Sequence, residues 1–217
     1  MSRVAVFGGS FNPIHYGHLL LADHVLELLG LDRVLFVPAA LPPHKPAARL
    51  APARDRHEMV ALAIANHPRF AVSDLELRRA GPSYTVDTLE ALAGGGDTLF
   101  LLLGSETYLD LLSWRAPRRI AELARLVVVP RADSPFNPES VAAQKVLREI
   151  GVEGGFVSVS DGAVPERGVL IARATSLPIS ASELRRRVRE GRSLAYRVPP
   201  QVIDVIRARG LYRADVA

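Results

Sequence analysis

The residues best suited to chemistry in this 217-residue chain lie near its N-terminus, where positions 8–18 read GGSFNPIHYGH. The two leading glycines allow a ligand to approach the backbone closely, and the turn at residues 10–13 delivers His15 and His18 to the start of the first predicted helix. Helix N-termini attract anions, so two histidines at this place can both donate hydrogen bonds to phosphate oxygens. We therefore interpret residues 8–18 as a phosphate-binding loop.

Two other interpretations of the histidine pair stay open at this point, a pair of metal ligands and two ordinary surface histidines. A metal site would need further ligands, but the sequence has no Cys and no obvious third ligand. The loop also lacks the G-x-G-x-x-G spacing of dinucleotide-binding proteins, and no Gly-Lys-Ser/Thr follows it as in a P-loop. The sequence thus disfavours hydride transfer and P-loop hydrolysis.

Apolar strands and amphipathic helices alternate along the chain and must position this loop. Uniformly apolar strands are typical of parallel sheets, so the pattern predicts an α/β fold with a doubly wound, mainly parallel sheet and helices on both faces. We predict a single domain over residues 1–217, with the α/β core at 1–175 and a small helical C-terminal segment at 176–217. The predicted strands span residues 3–9, 33–39, 70–77, 98–104, 125–130, 155–160 and 168–173, and the main predicted helices span 18–30, 54–66, 84–93, 139–150, 180–191 and 199–210.

Four motifs follow the carboxyl ends of predicted strands: residues 8–18, PPHK at 42–45, GSE at 104–106, and Arg131. In a doubly wound sheet, ligands bind in the crevice beyond the carboxyl ends of the strands. Random placement would scatter such motifs, so we predict that they contribute to one binding site. The PPHK motif lies in a predicted loop over 41–53, because its prolines cannot continue a helix or a central strand.

The formal net charge of +4 is concentrated in the C-terminal part, where residues 185–213 hold nine Arg against Glu190 and Asp204. A basic tail can bind nucleic acid, but it can equally supply guanidinium groups to a phosphorylated small substrate, since arginine donates two parallel hydrogen bonds to phosphate. A solvated basic helix face is the third possibility.

The sequence contains neither a signal peptide nor a stretch approaching the roughly 18 apolar residues of a membrane span. The absence of Cys fits a reducing compartment. We therefore predict a cytoplasmic protein that does not associate with membranes.

The sequence resembles a known enzyme family over nearly its whole length. Residues 8–18 are similar to the signature G-x-F-x-P-x-H-x-G-H of the nucleotidyltransferase superfamily related to class I aminoacyl-tRNA synthetases, and SLPISASELRRRV at 176–188 resembles its second signature, I-S-x-[ST]-x-[IL]-R. The segments PPHK, GPSYTVDTL at 81–89, LLGSETYLDLLSW at 102–114 and VPPQVIDVIRARGLY at 198–212 are similar to the bacterial nicotinate-nucleotide adenylyltransferases. The resemblance implies a Rossmann-like fold and a reaction that joins ATP and nicotinate mononucleotide to give nicotinate adenine dinucleotide and pyrophosphate in NAD biosynthesis.

The resemblance also assigns roles to individual residues on the ATP side. The implied catalytic residues are His15, His18, Lys45 and Arg185. The histidines would hold the triphosphate as hydrogen-bond donors rather than abstract a proton, while the two serines of the second signature have helix capping as an alternative role. The positions that match ATP-binding residues are Gly8, Gly9, Ser10, Phe11, His15, His18, Gly104, Glu106, Arg131, Ile179, Ser180, Ser182 and Arg185.

A second group of positions matches the acceptor site of the family. Trp114 would stack on the nicotinate ring, although a single Trp is equally consistent with a core position. Two residues depart from the common pattern, because Glu106 stands where many relatives have Asp and Arg115 where they have an aromatic residue or His. The implied nicotinate-nucleotide-binding residues are Ser10, Lys45, Ser83, Tyr84, Thr85, Trp114 and Arg115.

The resemblance implies Mg²⁺ as the cofactor, held mainly by the ATP phosphates and water, and we predict no metal ligand from the protein. It implies ATP and nicotinate mononucleotide as substrates, no nucleic-acid partner, and a monomer or homodimer. Another enzyme of the superfamily, such as a pantetheine-phosphate adenylyltransferase or a cytidylyltransferase, would share both signatures. A basic nucleic-acid-binding module and a nucleotide-binding protein without catalysis are alternatives of other classes.

Overall fold

The computed structural model describes residues 1–43, 50–130, 135–159, 164–175 and 177–213. Its strands are β1 (Arg3–Gly9), β2 (Arg33–Pro38), β3 (Phe70–Val72), β4 (Thr98–Gly104), β5 (Arg125–Val129), β6 (Phe156–Ser158) and β7 (Val169–Ile171). They form one seven-stranded sheet in the order β3-β2-β1-β4-β5-β7-β6. The chain builds the sheet outward from β1 in one direction and then from β4 in the other, which is the doubly wound arrangement that the sequence predicts.

The strand pairings explain why the sequence of these strands is so uniformly apolar. The pairs β1–β4, β4–β5, β5–β7 and β6–β7 are all parallel. In β4, the five residues Leu99–Leu103 are 1–4% exposed, and Leu126–Val129 of β5 are at most 2% exposed. Central parallel strands are buried on both faces, so they lack the alternation of a half-exposed strand. The predicted parallel α/β sheet is confirmed.

The helices follow the predicted positions closely, with ends shifted by a few residues. None of the helices in the described ranges has the length and apolar character that crossing a bilayer requires. The helices are α1 (Tyr16–Leu28), α2 (Ala53–Ile64), α3 (Leu75–Arg78), α4 (Thr85–Ala93), α5 (Ser105–Leu109), α6 (Pro117–Leu123), α7 (Val141–Ile150), α8 (Ala181–Arg189) and α9 (Pro200–Ala208), with a 3₁₀ turn at Leu111–Ser113.

The strand predicted over residues 70–77 is wrong in its second half. Strand β3 ends at Val72, and the single helical turn α3 begins at Leu75. Local hydrogen bonds explain the change, because the Leu75 N–H donates to Ser73 Oγ and the Arg78 side chain forms an ion pair with Asp74 four residues earlier. Such side-chain contacts stabilise a turn within a sequence whose apolar alternation suggests a strand.

Backbone contacts divide the chain into two compact units. Unit 1 consists of Met1–Phe7, Leu21–Val34 and Tyr84–Ser176, and unit 2 of Gly8–Leu20, Leu35–Ser83 and Leu177–Ala217. Unit 1 contains β4 to β7, whereas unit 2 contains the predicted phosphate-binding loop and helices α2, α8 and α9, with α2 packed against α9. The division into one domain with a core and a C-terminal segment stays a prediction.

Gly168 is a point at which unit 1 tolerates no side chain. Its φ is 96°, and a Cβ placed there would lie 2.8 Å from the Gly155 carbonyl oxygen. We expect Gly168→Ala to lower the free energy of unfolding by about 3 kcal/mol, because the positive φ alone costs roughly 1–2 kcal/mol and the clash adds to it. Urea denaturation monitored by circular dichroism measures this loss.

Gly155 provides the matched control for that substitution. Its φ is 68°, but a Cβ there would meet nothing within 4 Å. Gly155→Ala should therefore lower the free energy of unfolding only by the cost of the positive φ, about 1 kcal/mol. Equal losses in the two variants would contradict the steric argument.

Candidate active site

The loop between β1 and α1 folds into a buried turn. Phe11 adopts a φ of 43°, and the peptide bond between Asn12 and Pro13 is cis. Phe11 and Asn12 are 2% exposed and His15 is 5% exposed. A Cβ on Gly9 would lie 3.1 Å from the Phe11 ring, so this glycine makes room for that ring, whereas a Cβ on Gly8 would meet nothing within 4 Å. Gly8 is thus the point at which the loop backbone is open to a ligand.

His15 and His18 form a single unit within this loop. Their rings stack with centroids 3.7 Å apart and planes inclined by 23°. The His15 backbone N–H donates to His18 Nδ1 at 3.3 Å, while the edge of the Phe11 ring packs against His18 at a centroid distance of 5.2 Å. Because His18 Nδ1 accepts this hydrogen bond, Nε2 carries the ring's N–H in the neutral form and is the hydrogen-bond donor of the ring.

Gly17 allows the two rings to stack. A Cβ at this position would lie 3.0 Å from Nδ1 and 3.1 Å from Cε1 of His15. Such distances are a few tenths of an ångström shorter than an ordinary van der Waals contact. Gly17 therefore has a packing role, because the absence of a side chain leaves space for the His15 ring.

The second predicted signature begins helix α8. Ser180 is the N-cap, its Oγ accepts from the Glu183 N–H at 3.2 Å, and the Ser180 and Ser182 hydroxyls lie 3.2 Å apart. Ser180 therefore has the capping role that the sequence left open, and Ser182 lies on the exposed first turn of the helix. A capped helix start still presents N–H groups that favour an anion.

Arg185 and Ile179 connect the second signature to the first one. The Arg185 guanidinium donates from Nη1 to the Asn12 carbonyl oxygen at 2.9 Å, and the Ile179 carbonyl oxygen lies 3.7 Å from the Cβ position of Gly17. Burial lowers the pKa of Arg185, and Arg189 lowers it further, but a guanidinium remains charged at any physiological pH. Unit 2 thus brings a fixed positive charge to the histidine loop.

Ser83, a predicted acceptor-site residue, also lies in unit 2 and closes a turn. Its Oγ accepts hydrogen bonds from the N–H groups of Ala40 and Leu41 at 3.0 and 3.1 Å, and its own N–H donates to the Leu41 carbonyl oxygen at 2.9 Å. Ser83 therefore fixes the backbone just after β2. Lys45, which follows this turn in the chain, lies outside the residues that the structure describes.

Unit 1 brings together two of the other predicted acceptor residues. The Arg115 guanidinium lies over the Tyr84 ring, 5.0 Å from its centroid, and forms an ion pair of 3.8 Å with Asp87. Tyr84 precedes Thr85, the first residue of α4. Trp114 is only half-buried after the 3₁₀ turn, so it is not a core residue.

The predicted adenosine-side residues of unit 1 lie at the end of a central strand. Gly104 is the last residue of β4 and caps α5, and Glu106 is exposed in the first turn of that helix. A short carboxylate-bearing turn after a buried parallel strand is suited to a sugar hydroxyl. Arg131 lies outside the described ranges, just after β5.

Arg56 is a functional candidate that sequence reasoning missed. It is 1% exposed on α2 and donates hydrogen bonds to the carbonyl oxygens of Ser10, Ala39, Ala40 and Ala51. The signal is present in the sequence, because Arg56 occupies the same helical stripe as buried Met59, Val60 and Ile64. A charged residue in an apolar stripe indicates a buried group with several partners. Asn12, whose Oδ1 accepts from the Ala51 N–H at 3.0 Å, was likewise missed.

The groups that unit 2 places around the histidine loop are hydrogen-bond donors, which suits them to hold phosphate groups rather than to abstract protons. His18 Nε2–H, the α8 N-terminus and the Arg185 guanidinium are all donors. Within the described ranges, no group of three His, Cys, Asp or Glu side chains could hold a metal ion. The arrangement can therefore stabilise charge on a phosphorylated ligand.

Comparison with known proteins identifies the family. Residues 6–187 match the family model described as Cytidylyltransferase-like. A relative from Thermus thermophilus, described as "probable nicotinate-nucleotide adenylyltransferase", is 45% identical over 213 residues, which cover 97% of this chain and 100% of the relative. A relative of the same description from Trichlorobacter lovleyi is 41% identical over 215 residues, covering 97% and 99%. The chain belongs to the nicotinate-nucleotide adenylyltransferases, within the cytidylyltransferase-like family.

A solved structure shares the fold of this nicotinate-nucleotide adenylyltransferase family member. The nicotinic acid mononucleotide adenylyltransferase of Plasmodium falciparum, complexed with NaAD, matches with a TM-score of 0.74 over 98% of both chains, at 20% identity. The same protein complexed with APC matches with a TM-score of 0.72. At this identity the likeness shows the fold, and it confirms the predicted Rossmann-like architecture. The family assignment made from the two signatures is also confirmed.

Gly17→Ala tests the packing of the histidine pair. The added Cβ must shift the His15 ring against His18 by a few tenths of an ångström, and misplacement of a catalytic group by about 1 Å can reduce the rate up to about 100-fold. We expect turnover to fall at least about tenfold, while the thermal midpoint changes little. Steady-state kinetics and thermal melts measure the two effects.

Gly94→Ala is the matched control, because Gly94 has a negative φ of −62° and a Cβ there would meet nothing within 4 Å. Its turnover should equal that of the wild type. Wild-type turnover in Gly17→Ala would disprove the packing role of Gly17.

Proposed function

We propose that this chain transfers the adenylyl group of ATP to nicotinate mononucleotide, giving nicotinate adenine dinucleotide and pyrophosphate in NAD biosynthesis. The observation that carries the proposal is the contact between the two nucleotidyltransferase signatures within unit 2, where Arg185 donates to the Asn12 carbonyl beside the stacked His15 and His18. Full-length relatives at 45% and 41% identity that are named for this activity support the choice of acceptor.

The reaction requires positioning and charge stabilisation rather than a strong base. The acceptor's 5′-phosphate, already an anion near neutral pH, attacks the α-phosphorus of ATP. A new P–O bond forms, the bond between the α-phosphorus and the bridging oxygen breaks, and pyrophosphate leaves with the electron pair. Side chains that donate hydrogen bonds to the transferring and leaving phosphates therefore supply most of the catalysis.

The chain's own donors take these roles in the proposed mechanism. His18 donates from Nε2, the ring nitrogen that carries the N–H when Nδ1 accepts from the His15 backbone, to the α-phosphate or the leaving group. His15 supports the His18 ring by stacking and holds the triphosphate, and Arg185 offsets charge on the leaving pyrophosphate. Lys45 adds a positive charge from the segment that follows β2 in the sequence.

The remaining predicted residues take binding roles in the same proposal. Gly8 to Phe11 and Ile179 to Ser182 surround the phosphates with backbone and hydroxyl groups, while Gly104, Glu106 and Arg131 bind the adenosine part. Ser10 and Ser83 to Thr85 bind the acceptor, Trp114 stacks on its ring, and Arg115 faces its carboxylate.

Mg²⁺ is the metal that we propose for this reaction, and when bound it would neutralise triphosphate charge. The donor set of unit 2 consists of imidazole, hydroxyl and guanidinium groups, whereas Mg²⁺ prefers carboxylate and water oxygens. The ion would therefore be carried by the ATP phosphates and water rather than by this chain. We further propose a cytoplasmic monomer or homodimer that binds neither nucleic acid nor membranes.

The proposed activity is tested by measuring pyrophosphate release from ATP and Mg²⁺ with nicotinate mononucleotide, nicotinamide mononucleotide or phosphopantetheine supplied separately. We expect fast release with the nicotinate acceptor and much slower release with the other two. Fast release only with phosphopantetheine would keep the mechanism and overturn the substrate. Nucleotide binding without release for any acceptor would overturn the proposal of an enzyme.

His18→Ala tests the donor role of the second histidine. Removing one donor that stabilises developing charge typically costs about 100-fold to 1,000-fold in kcat, and we expect a loss of this size with the fold intact. His18→Gln, whose side-chain amide can place an N–H near the position of Nε2, should retain more activity than the alanine variant. Wild-type turnover in folded His18→Ala would disprove the role.

A further inference from the structure

Arg56 is buried on the inner face of α2 and contacts three separate segments of unit 2. Its Nε donates to the Ala51 carbonyl oxygen at 2.9 Å, just before the helix. Its Nη1 donates to the carbonyl oxygens of Ser10 and Ala39 at 2.8 and 2.7 Å, and Nη2 donates to that of Ala40 at 3.1 Å. One guanidinium thus connects the histidine loop, the segment after β2 and the start of α2.

The segment after β2 is connected in turn to the acceptor residue Ser83. The Ala40 carbonyl oxygen accepts from Arg56, and the Ala40 N–H donates to Ser83 Oγ at 3.0 Å. The Leu41 N–H donates to the same oxygen at 3.1 Å. A continuous series of hydrogen bonds therefore runs from Ser10 through Arg56 and Ala40 to Ser83. Both ends of this series are residues that we assign to substrate binding.

The chemistry of arginine is required at the centre of this series. A guanidinium presents five N–H donors in a fixed planar fork, whereas a lysine ammonium is a compact charge on a flexible stem. Four carbonyl acceptors lie around Arg56 in different directions, and two of them share Nη1. Burial lowers the pKa of Arg56, yet a guanidinium keeps its charge, so its hydrogen bonds persist at physiological pH.

We propose that Arg56 is a positioning residue that fixes the ATP-binding loop and the acceptor-binding turn relative to each other. The inference rests on the proposed function, because it takes Ser10 as a residue of the ATP loop and Ser83 as one of the acceptor turn. In-line transfer depends on the relative placement of two bound substrates more than on the affinity for either one. Loss of Arg56 therefore lowers kcat more than it raises either KM.

The test compares Arg56→Lys with the wild type at a temperature at which both are folded. We expect kcat to fall about 10-fold to 100-fold, while the KM values for ATP and the acceptor each change less than about fivefold. Calorimetric titration with a non-hydrolysable ATP analogue should give the wild-type stoichiometry, which excludes a loss of kcat through a fraction of unfolded molecules. A kcat within about twofold of wild type, or a stoichiometry that falls in parallel with kcat, would overturn the inference.

Arg187→Lys is the matched control. Arg187 is 9% exposed in the same unit, and its Nε donates to the Ser193 carbonyl oxygen at 2.8 Å, as Arg56 Nε does to Ala51. Its substitution should lower the thermal midpoint but leave kcat within about twofold of wild type, since its partners Ser193 and Glu183 lie in neither the ATP-binding loop nor the acceptor-binding turn. An equal loss of kcat in Arg187→Lys would make the effect a general consequence of disturbing a buried arginine and would overturn the proposal.

A measurement on the wild type covers the case in which Arg56→Lys does not fold. Binding of the ATP analogue alone should slow hydrogen exchange at the N–H groups of Ala40, Leu41 and Ser83, because Arg56 connects them to the ATP loop. Unchanged exchange at these groups would overturn the inference. The proposed function is tested by a different result: it would be overturned if the wild type released no pyrophosphate with nicotinate mononucleotide.

Discussion

The structure depends on one constraint, which is that the buried turn before His15 must find partners for its backbone carbonyl groups. The turn is neither helix nor strand, so its oxygens cannot be satisfied by regular hydrogen bonds, and an unpaired buried polar group is costly. Arg56 from α2 and Arg185 from α8 supply the donors, to Ser10 and Asn12 respectively. Two helices far apart in sequence are thereby required to place the histidine loop.

The Arg-rich C-terminal part makes further contacts within unit 2. Three of its arginines illustrate these contacts. Arg187 donates to the Ser193 carbonyl, Arg186 pairs with Glu183, and Arg209 pairs with Asp55 and Glu58 on α2. Exposed ion pairs of this kind contribute little stability individually, but each occupies a guanidinium that a nucleic-acid backbone would need. These three arginines therefore make contacts inside unit 2.

Much of the fold could be predicted because the central strands carry their own signal. Residues 98–104 and 125–129 are buried on both faces and read as unbroken apolar runs, so their type and ends follow from composition alone. Residues 73–78 could not be predicted in this way. There the contacts of the Ser73 and Asp74 side chains stabilise a helical turn. The energies of such local contacts are similar to those of strand pairing, so the hydrophobic pattern of the sequence cannot rank the two structures.

By itself, the sequence determined the chemistry of the candidate site: a glycine loop with two histidines and a second motif ending in Arg185, both of the types that bind phosphate. Only the tertiary structure decided what holds these groups in place. Gly17 leaves space for the His15 ring, and Ser180 caps a helix. Arg56 donates hydrogen bonds to two separate loops. Motifs are visible in sequence because they are local, whereas the Arg56 guanidinium finds its carbonyl partners at separations of up to 46 residues, which only folding brings together.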